Sequence, residues 1–321
     1  MVLTTRGYDP QGNSFPNSAP VAVEYDAERL RKEVETFRSG FGKVFSAASG
    51  QRVLPLRSVG GDPDRGDWGG PSLSGYQDTR WLSQLPYVQD ILGGLPAPVR
   101  GARLWAVAPG VRDTGLRSLK VGPPWGLCRL HLPITVPPAS LVVFVEESQH
   151  WAAGTSRYVA TWRSHAVVNR DVEELVHLVV DLYVTEATTG LFPSELREWL
   201  SGPQALRLRC TVPLSPTEMD RYRCRFRVPE SFANWEGLGH QMLLGRASRF
   251  TEAEIETREG SAVLVLAGKP FCALEHIGEG EFRLRGWSDE RTLQVSHPAE
   301  ASVVLRIREG GNTYKMKVPR A

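Results

Sequence analysis

Two histidines stand inside apolar, strand-like runs: His131 in RLHLPI (129–134) and His165 in RSHAVVN (163–169). They are 34 residues apart (165 − 131). Imidazole nitrogen is a good ligand for divalent transition metals, so two histidines meeting inside a barrel could share one ion. The plainer alternative is a pair of core histidines, each with a hydrogen-bond partner. Period-two alternation puts Arg129, His131 and Pro133 on one strand face, and Cys128, Leu130 and Leu132 on the other. An arginine beside a histidine does not suit a closed apolar core, because each buried polar group needs a partner. The pair suits the polar interior of a small ligand-holding barrel. His165 follows ATWRS at a strand end, where a barrel presents ligands to a bound ion. His177 shares its face with Leu175, Val179 and Asp181 and reads as a structural, hydrogen-bonding histidine. Asp181 is either an acceptor that orients a metal-bound histidine or a strand-end solvent contact. His150, His240, His276 and His297 lie in turn-like or strand-end contexts and carry no role.

These residues need a scaffold of strands, and the spacing predicts one. Short runs at 102–108, 127–134, 140–147, 156–162 and 175–184 are separated by Pro/Gly turns, which points to a barrel or sandwich. Ahead of them, 25–39 carries Leu30, Val34 and Phe37 at helical spacing with Asp26 as N-cap. The segment 79–95 reads as one or two helices interrupted at Pro86, and 193–200 as a short closing helix. Residues 1–20 look like a loose lead-in, and 56–75 like a long glycine-rich loop. Beyond SGPQ (201–204) the runs ALRLRCTVPL, DRYRCRFRVP, SAVLVLAG, GEFRLRGW, RTLQVSH, SVVLRIREG and TYKMKVP predict a second, all-β, sandwich-like domain. The expected division is therefore 1–203 and 204–321. Arginines alternate at 221, 223, 225 and 227, as on the solvated face of a strand; a docking stripe for an acidic partner is the lesser reading.

Bulk composition excludes several classes. The 321 residues are 41% hydrophobic and 23% charged, as in ordinary globular proteins. A net charge of +2 argues against a nucleic-acid-coating role. No apolar run reaches the roughly 18 residues needed to span a bilayer, and the N-terminus has no signal-peptide core. A cytoplasmic protein is expected. The four cysteines, Cys128, Cys210, Cys224 and Cys272, form no C-x-x-C pair and fit reduced thiols. There is no G-x-S-x-G, Walker loop, H-E-x-x-H or helix-opening G-x-G-x-x-G.

Four motifs in order carry a resemblance: Arg129, His131 and Pro133; Gly154 and Tyr158; His165, Val167 and Asn169; then His177, Leu178, Val179 and Asp181. Over about residues 80–185 the chain resembles the aspartyl/asparaginyl β-hydroxylase family, which includes bacterial amino-acid hydroxylases of the proline-hydroxylase type. The resemblance implies a double-stranded β-helix, a jelly-roll-like barrel, that binds Fe(II) and uses 2-oxoglutarate and O₂ to hydroxylate an unactivated C–H bond. By the same match His131 and His165 would be the catalytic iron ligands. The position two after His131, often acidic in such enzymes, is Pro133; aspartyl-hydroxylase-type members also lack that acid and use two histidines plus water, so the resemblance tolerates the gap and leaves the third ligand open.

The arginine that family members carry ten residues after the second histidine is here Leu175. A leucine cannot make the bidentate contact by which arginine holds the far carboxylate of 2-oxoglutarate. Arg129, on the face of His131, is the expected substitute, with Arg163 in reserve. The expected substrate is an amino acid, free, in a peptide or carrier-bound, with no nucleic acid or membrane partner. The C-terminal domain would cover the site, dimerise or dock a carrier. The second reading, from Leu175, is a barrel that has lost or altered its chemistry and acts by binding.

Overall fold

Runs of Val, Ile, Leu and aromatic residues at period two cannot bury a face unless they pair, and the chain is accordingly dominated by antiparallel strands. The computed structural model describes residues 15–37, 45–46, 50–67, 69–112, 115–243, 249–296 and 301–320. The first part of the expected lead-in and His297 lie outside the described residues. Two compact units emerge. The first comprises the described residues up to 67, together with 76–122 and 127–201; the second comprises 69–75, 123–126 and the chain from 202 on.

The first unit runs β1 (Ser18–Pro20), α1 (Ala27–Thr36), β2 (Phe45–Ser46), β3 (Gln51–Val59), β4 (Tyr76–Asp78), α2 (Pro86–Gly93), β5 (Val99–Val107), β6 (Leu127–Thr135), β7 (Ser140–Phe144), β8 (Ser148–Gln149), β9 (Arg157–Val159), β10 (His165–Asn169), β11 (Leu175–Tyr183), α3 (Glu186–Gly190) and α4 (Ser194–Ser201). Its major sheet has the order β1-β9-β6-β11-β5-β3-β2, with β4 paired to β3; the minor sheet has the order β10-β7-β8. This is the double-stranded β-helix the sequence implied. Apolar side chains from both sheets, among them Val107, Leu175 and Val179 from the major sheet and Val142, Phe144 and Val167 from the minor one, form one core cluster. In α1 the Asp26 carboxylate accepts from Arg29 N at 2.9 Å, and Leu30 and Val34 are buried. The helix packs against β6.

The N-terminal part does more than flank the barrel. Residues 56–59, expected in a loop, end strand β3, which pairs with β5 in the major sheet. Pro55 sits where the β3–β5 register shifts, a bulge at which the missing N–H is tolerated. The segment 79–95 forms two short helices divided at Pro86, as the spacing indicated: a 3₁₀ turn at Leu82–Gln84 and then α2, which Pro86 can start because the first helical turn needs no N–H there.

The second unit holds α5 (Pro216–Asp220), β12 (Cys224–Pro229), α6 (Glu230–Ala233), β13 (Phe250–Arg258), β14 (Ser261–Leu266), β15 (Lys269–His276), β16 (Glu281–Leu284), β17 (Arg291–Val295), β18 (Ser302–Glu309) and β19 (Asn312–Pro319). Where spacing suggested a sandwich, the strands form one eight-stranded sheet in sequence order, β12 through β19. Contacts between β12 and β19 bring the sheet close to closure. Tight turns explain the order: Glu259–Gly260 and Ala267–Gly268 each place two successive residues at positive φ, the geometry of a two-residue hairpin. Of the alternating arginines, Arg225 and Arg227 pair with Glu254 and Glu252 on the exposed face of β12. The run at 205–214 forms no strand. Among the described residues no helix is long and apolar enough to cross a membrane.

Candidate metal and co-substrate site

Cross-strand register builds the site. In the major sheet β11 lies between β5 and β6, with Val179 opposite both Arg103 and His131, and His177 opposite Trp105. Residues opposite one another in a ladder point to the same face, so Arg103, Trp105, Arg129, His131, His177, Val179 and Asp181 share the interior of the barrel. The minor sheet supplies His165, opposite Phe144, and Val167, opposite Val142. His131, His165, Arg103, Arg117, Arg129 and Gln51 line one cavity of about 270 Å³. The two histidines, one from each sheet, therefore face a common space.

Both imidazoles are buried, and burial favours the neutral form. Burial, the neighbouring His177 and the charges of Arg129, His165 and Arg103 hold His131 well below the ordinary histidine range. Burial pushes His165 down to about 4, against the bond to the Arg163 carbonyl and with help from Arg117 and Arg129. The His165 Nδ1 lies 2.9 Å from the Arg163 carbonyl oxygen, so Nδ1 carries the proton and Nε2 is left with its lone pair. The His131 Nδ1 meets the His177 Nδ1 at 3.0 Å, and burial holds His177 neutral, down to about 3. With the shared proton on His131, its Nε2 is also free to bind a metal. The donor set thus fits an ion held by two neutral imidazoles. Among the described residues no three His, Cys, Asp or Glu side chains are grouped to hold a metal, so a third protein ligand is not supplied.

Asp181 serves arginines, not a histidine or solvent. It accepts from Arg129 Nε at 2.7 Å and Nη2 at 2.9 Å, and from Arg103 Nη2 at 2.5 Å. Burial works to raise its pKa, but Arg129 and Arg103 prevail and lower it to about 2. The unfolded chain, with an ordinary aspartate, then binds protons more readily than the folded one. Stability from Asp181 should be fully present above about pH 4 and lost as the pH falls toward about 2, a contribution on the order of 2 kcal/mol. Urea unfolding at pH 5 and pH 2.5 checks this: Asp181→Asn should flatten that part of the profile, and an unchanged slope counts against it.

The expected co-substrate cations sit differently from one another. Arg129 lines the cavity but is engaged with Asp181. Arg163 donates to Asn17 Oδ1 at 2.9 Å, lies over Trp162 at 5.0 Å, and is not part of the cavity wall. Leu175 is buried in the apolar cluster. Three lining residues, Arg117, Gln51 and Arg103, were missed from the sequence. Arg117 forms an isolated antiparallel bridge with His165, so its side chain emerges beside that histidine. Its Nη2 donates to Gln51 Oε1 at 2.7 Å, while Arg117 Nε and Gln51 Nε2 are buried without a hydrogen-bond partner. Arg103 was within reach of sequence reasoning, since it alternates with Trp105 and Val107 in β5 just as Arg129 does with His131 in β6.

Residues 76–184 match the sequence profile of the family described as Aspartyl/Asparaginyl beta-hydroxylase, so the similarity carried by the four motifs holds for this stretch. It contains both histidines, Arg103, Arg117, Arg129 and Asp181, but not Gln51. No curated protein matches the chain. Among solved structures the chain is similar to an oxidoreductase of the 2OG-Fe(II) oxygenase family from Burkholderia pseudomallei, at 13% identity over 52% of this chain and 82% of that one, with a TM-score of 0.35. It is also similar to a Pseudomonas putida prolyl-4-hydroxylase, at 12% identity over 52% and 92%, TM-score 0.31. A cupin domain from Bordetella pertussis Tohama I overlaps at 19% identity over 27% and 90%, TM-score 0.21.

Proposed function

We propose that the barrel is a non-haem Fe(II)- and 2-oxoglutarate-dependent hydroxylase acting on an amino acid, with His131 and His165 as the protein ligands of the metal. The observation that carries this reading is the pair of neutral histidines on one cavity, each with its Nδ1 already hydrogen-bonded. The family match over 76–184 supports it. When bound, the iron would supply O₂ activation, with 2-oxoglutarate as the co-substrate oxidised to succinate and CO₂. The protein's own part is to hold the two imidazoles neutral, keep the cavity walled by Val53, Val142, Val159 and Val179, and orient the co-substrate.

The cation that stands in for the arginine missing at Leu175 is Arg117. Gln51 lies opposite Val107, which lies opposite Leu175, so Gln51 occupies the same row of the sheet two strands away. It fixes the Arg117 guanidinium, and the two orphan donors, Arg117 Nε and Gln51 Nε2, match the oxygens of a carboxylate. Arg117→Gln should weaken 2-oxoglutarate binding roughly tenfold to a hundredfold, the loss of one charged hydrogen bond worth about 1.5–3 kcal/mol. Calorimetry with Mn(II) in place of iron reads this out. Unchanged affinity clears Arg117 and returns the role to Arg129. No 2-oxoglutarate binding by the unaltered protein transfers the assignment to the second reading, a binding barrel without this chemistry, which the apolar burial of Leu175 favours.

A further inference from the structure

The cavity has a second cationic group, built separately from Arg117 and Gln51. Arg103 on β5 and Arg129 on β6 both reach the single carboxylate of Asp181 on the strand between them. The three side chains are 12%, 6% and 0% exposed. Two cations share one anion, so the cluster keeps an unbalanced positive charge. A triad needed only to tie β5, β6 and β11 together would be neutral with one arginine, and an unbalanced buried charge is costly.

The unused donors point to what would balance it. Arg103 gives Asp181 only Nη2, and Arg129 gives it Nε and Nη2. Among the described residues nothing else pairs with either side chain, so Nε and Nη1 of Arg103 and Nη1 of Arg129 remain available. Both arginines line the cavity that His131 lines. The rest of the lining combines apolar Trp105, Val142, Val159 and Val179 with polar Thr161 and, elsewhere on the wall, Asp67. At about 270 Å³ the cavity falls just below the usual range of ligand pockets, roughly 300 to 1,000 Å³, so its occupant is small.

We propose that Arg103 and Arg129, aligned by Asp181, form a subsite for a free carboxylate of the substrate, so that the molecule acted on is a small, apolar-bodied carboxylic acid instead of a residue inside a peptide chain. The inference rests on the reading of this cavity as the hydroxylase site, but the charge cluster exists whether or not that reading holds. Two carboxylates then occupy the cavity, one on Arg117 and Gln51, the other on Arg103 and Arg129.

Isovalerate and its neutral isostere isovaleramide are suitable probes, titrated calorimetrically. With Mn(II) and saturating 2-oxoglutarate present, isovalerate should bind at least tenfold more tightly than the amide. Arg103→Gln leaves the bidentate Arg129–Asp181 pair in place and should weaken isovalerate at least tenfold while leaving 2-oxoglutarate affinity unchanged. Arg117→Gln should do the reverse. If the protein takes no 2-oxoglutarate, the same isovalerate series on metal-free protein separates the two claims: loss in Arg103→Gln and retention in Arg117→Gln still supports the subsite. Equal binding of acid and amide by the unaltered protein, a measurement that needs no variant, overturns the proposal. So does unchanged isovalerate affinity in a folded Arg103→Gln protein, or an effect that follows Arg117 instead.

Discussion

Alanine at position 131 should abolish binding of Mn(II) or Fe(II), and alanine at 165 should do the same. Removing a mere hydrogen-bonding partner of a metal ligand costs about 10–100-fold in affinity, and loss of one of only two protein ligands should exceed that. The two variants should differ in stability. The His131 ring is the hydrogen-bond partner of buried His177, so His131→Ala leaves a polar atom unsatisfied in the core, at a cost of about 1–3 kcal/mol. His165 holds only the half-buried carbonyl of Arg163, so His165→Ala should unfold closer to the unaltered protein. Metal titration and thermal unfolding of the two variants test both statements. Tight metal binding retained by either one removes the two-histidine site.

A larger loss of stability is expected at Asp181. Asp181→Asn keeps the side chain's size but strips the shared anion from Arg103 and Arg129, leaving two buried guanidiniums facing each other without compensation. Breaking a buried pair from one side costs about 3–5 kcal/mol, more than half of a typical domain's margin at the upper end. Urea unfolding at neutral pH measures it. A loss below about 1 kcal/mol would mean that water reaches the cluster and the charges are screened.

How far the sequence revealed these features depended on whether the information was local. Alternation alone put Arg129 and His131 on one inward face, because strand geometry leaves no other choice. Hydrogen-bond pairing between distant strands is not written in any short window. That Asp181 stands opposite Arg129 follows from the β6–β11 register, 52 residues apart in the chain, and so its role could only be guessed. Arg117 lies in a stretch with no periodic pattern and joins the site through a single bridge to His165. The end of strand β3 was read into the glycine-rich loop that follows it, because its pairing with β5 is not local in the chain. In the second unit the composition predicted strands, but a sandwich and a meander share the same strand-and-turn spacing. Their difference lies in which neighbours pair, decided here by turns as small as Glu259–Gly260.

The strand order of the two sheets has a consequence for how the chain acquires its shape during synthesis. In the second unit each strand pairs with the one made just before it, so every hairpin can form as it emerges, with little loop entropy to overcome. In the first unit β11 is the central partner of both β5 and β6, and β1 waits for β9 near residue 157. Arg103 and Arg129 are therefore translated well before Asp181, the aspartate they share. Until β11 leaves the ribosome, the nascent barrel is a set of unpaired apolar edges carrying unmatched cations. That interval, closed only when residues 175–183 arrive, is when this chain is most exposed to aggregation and to chaperone capture.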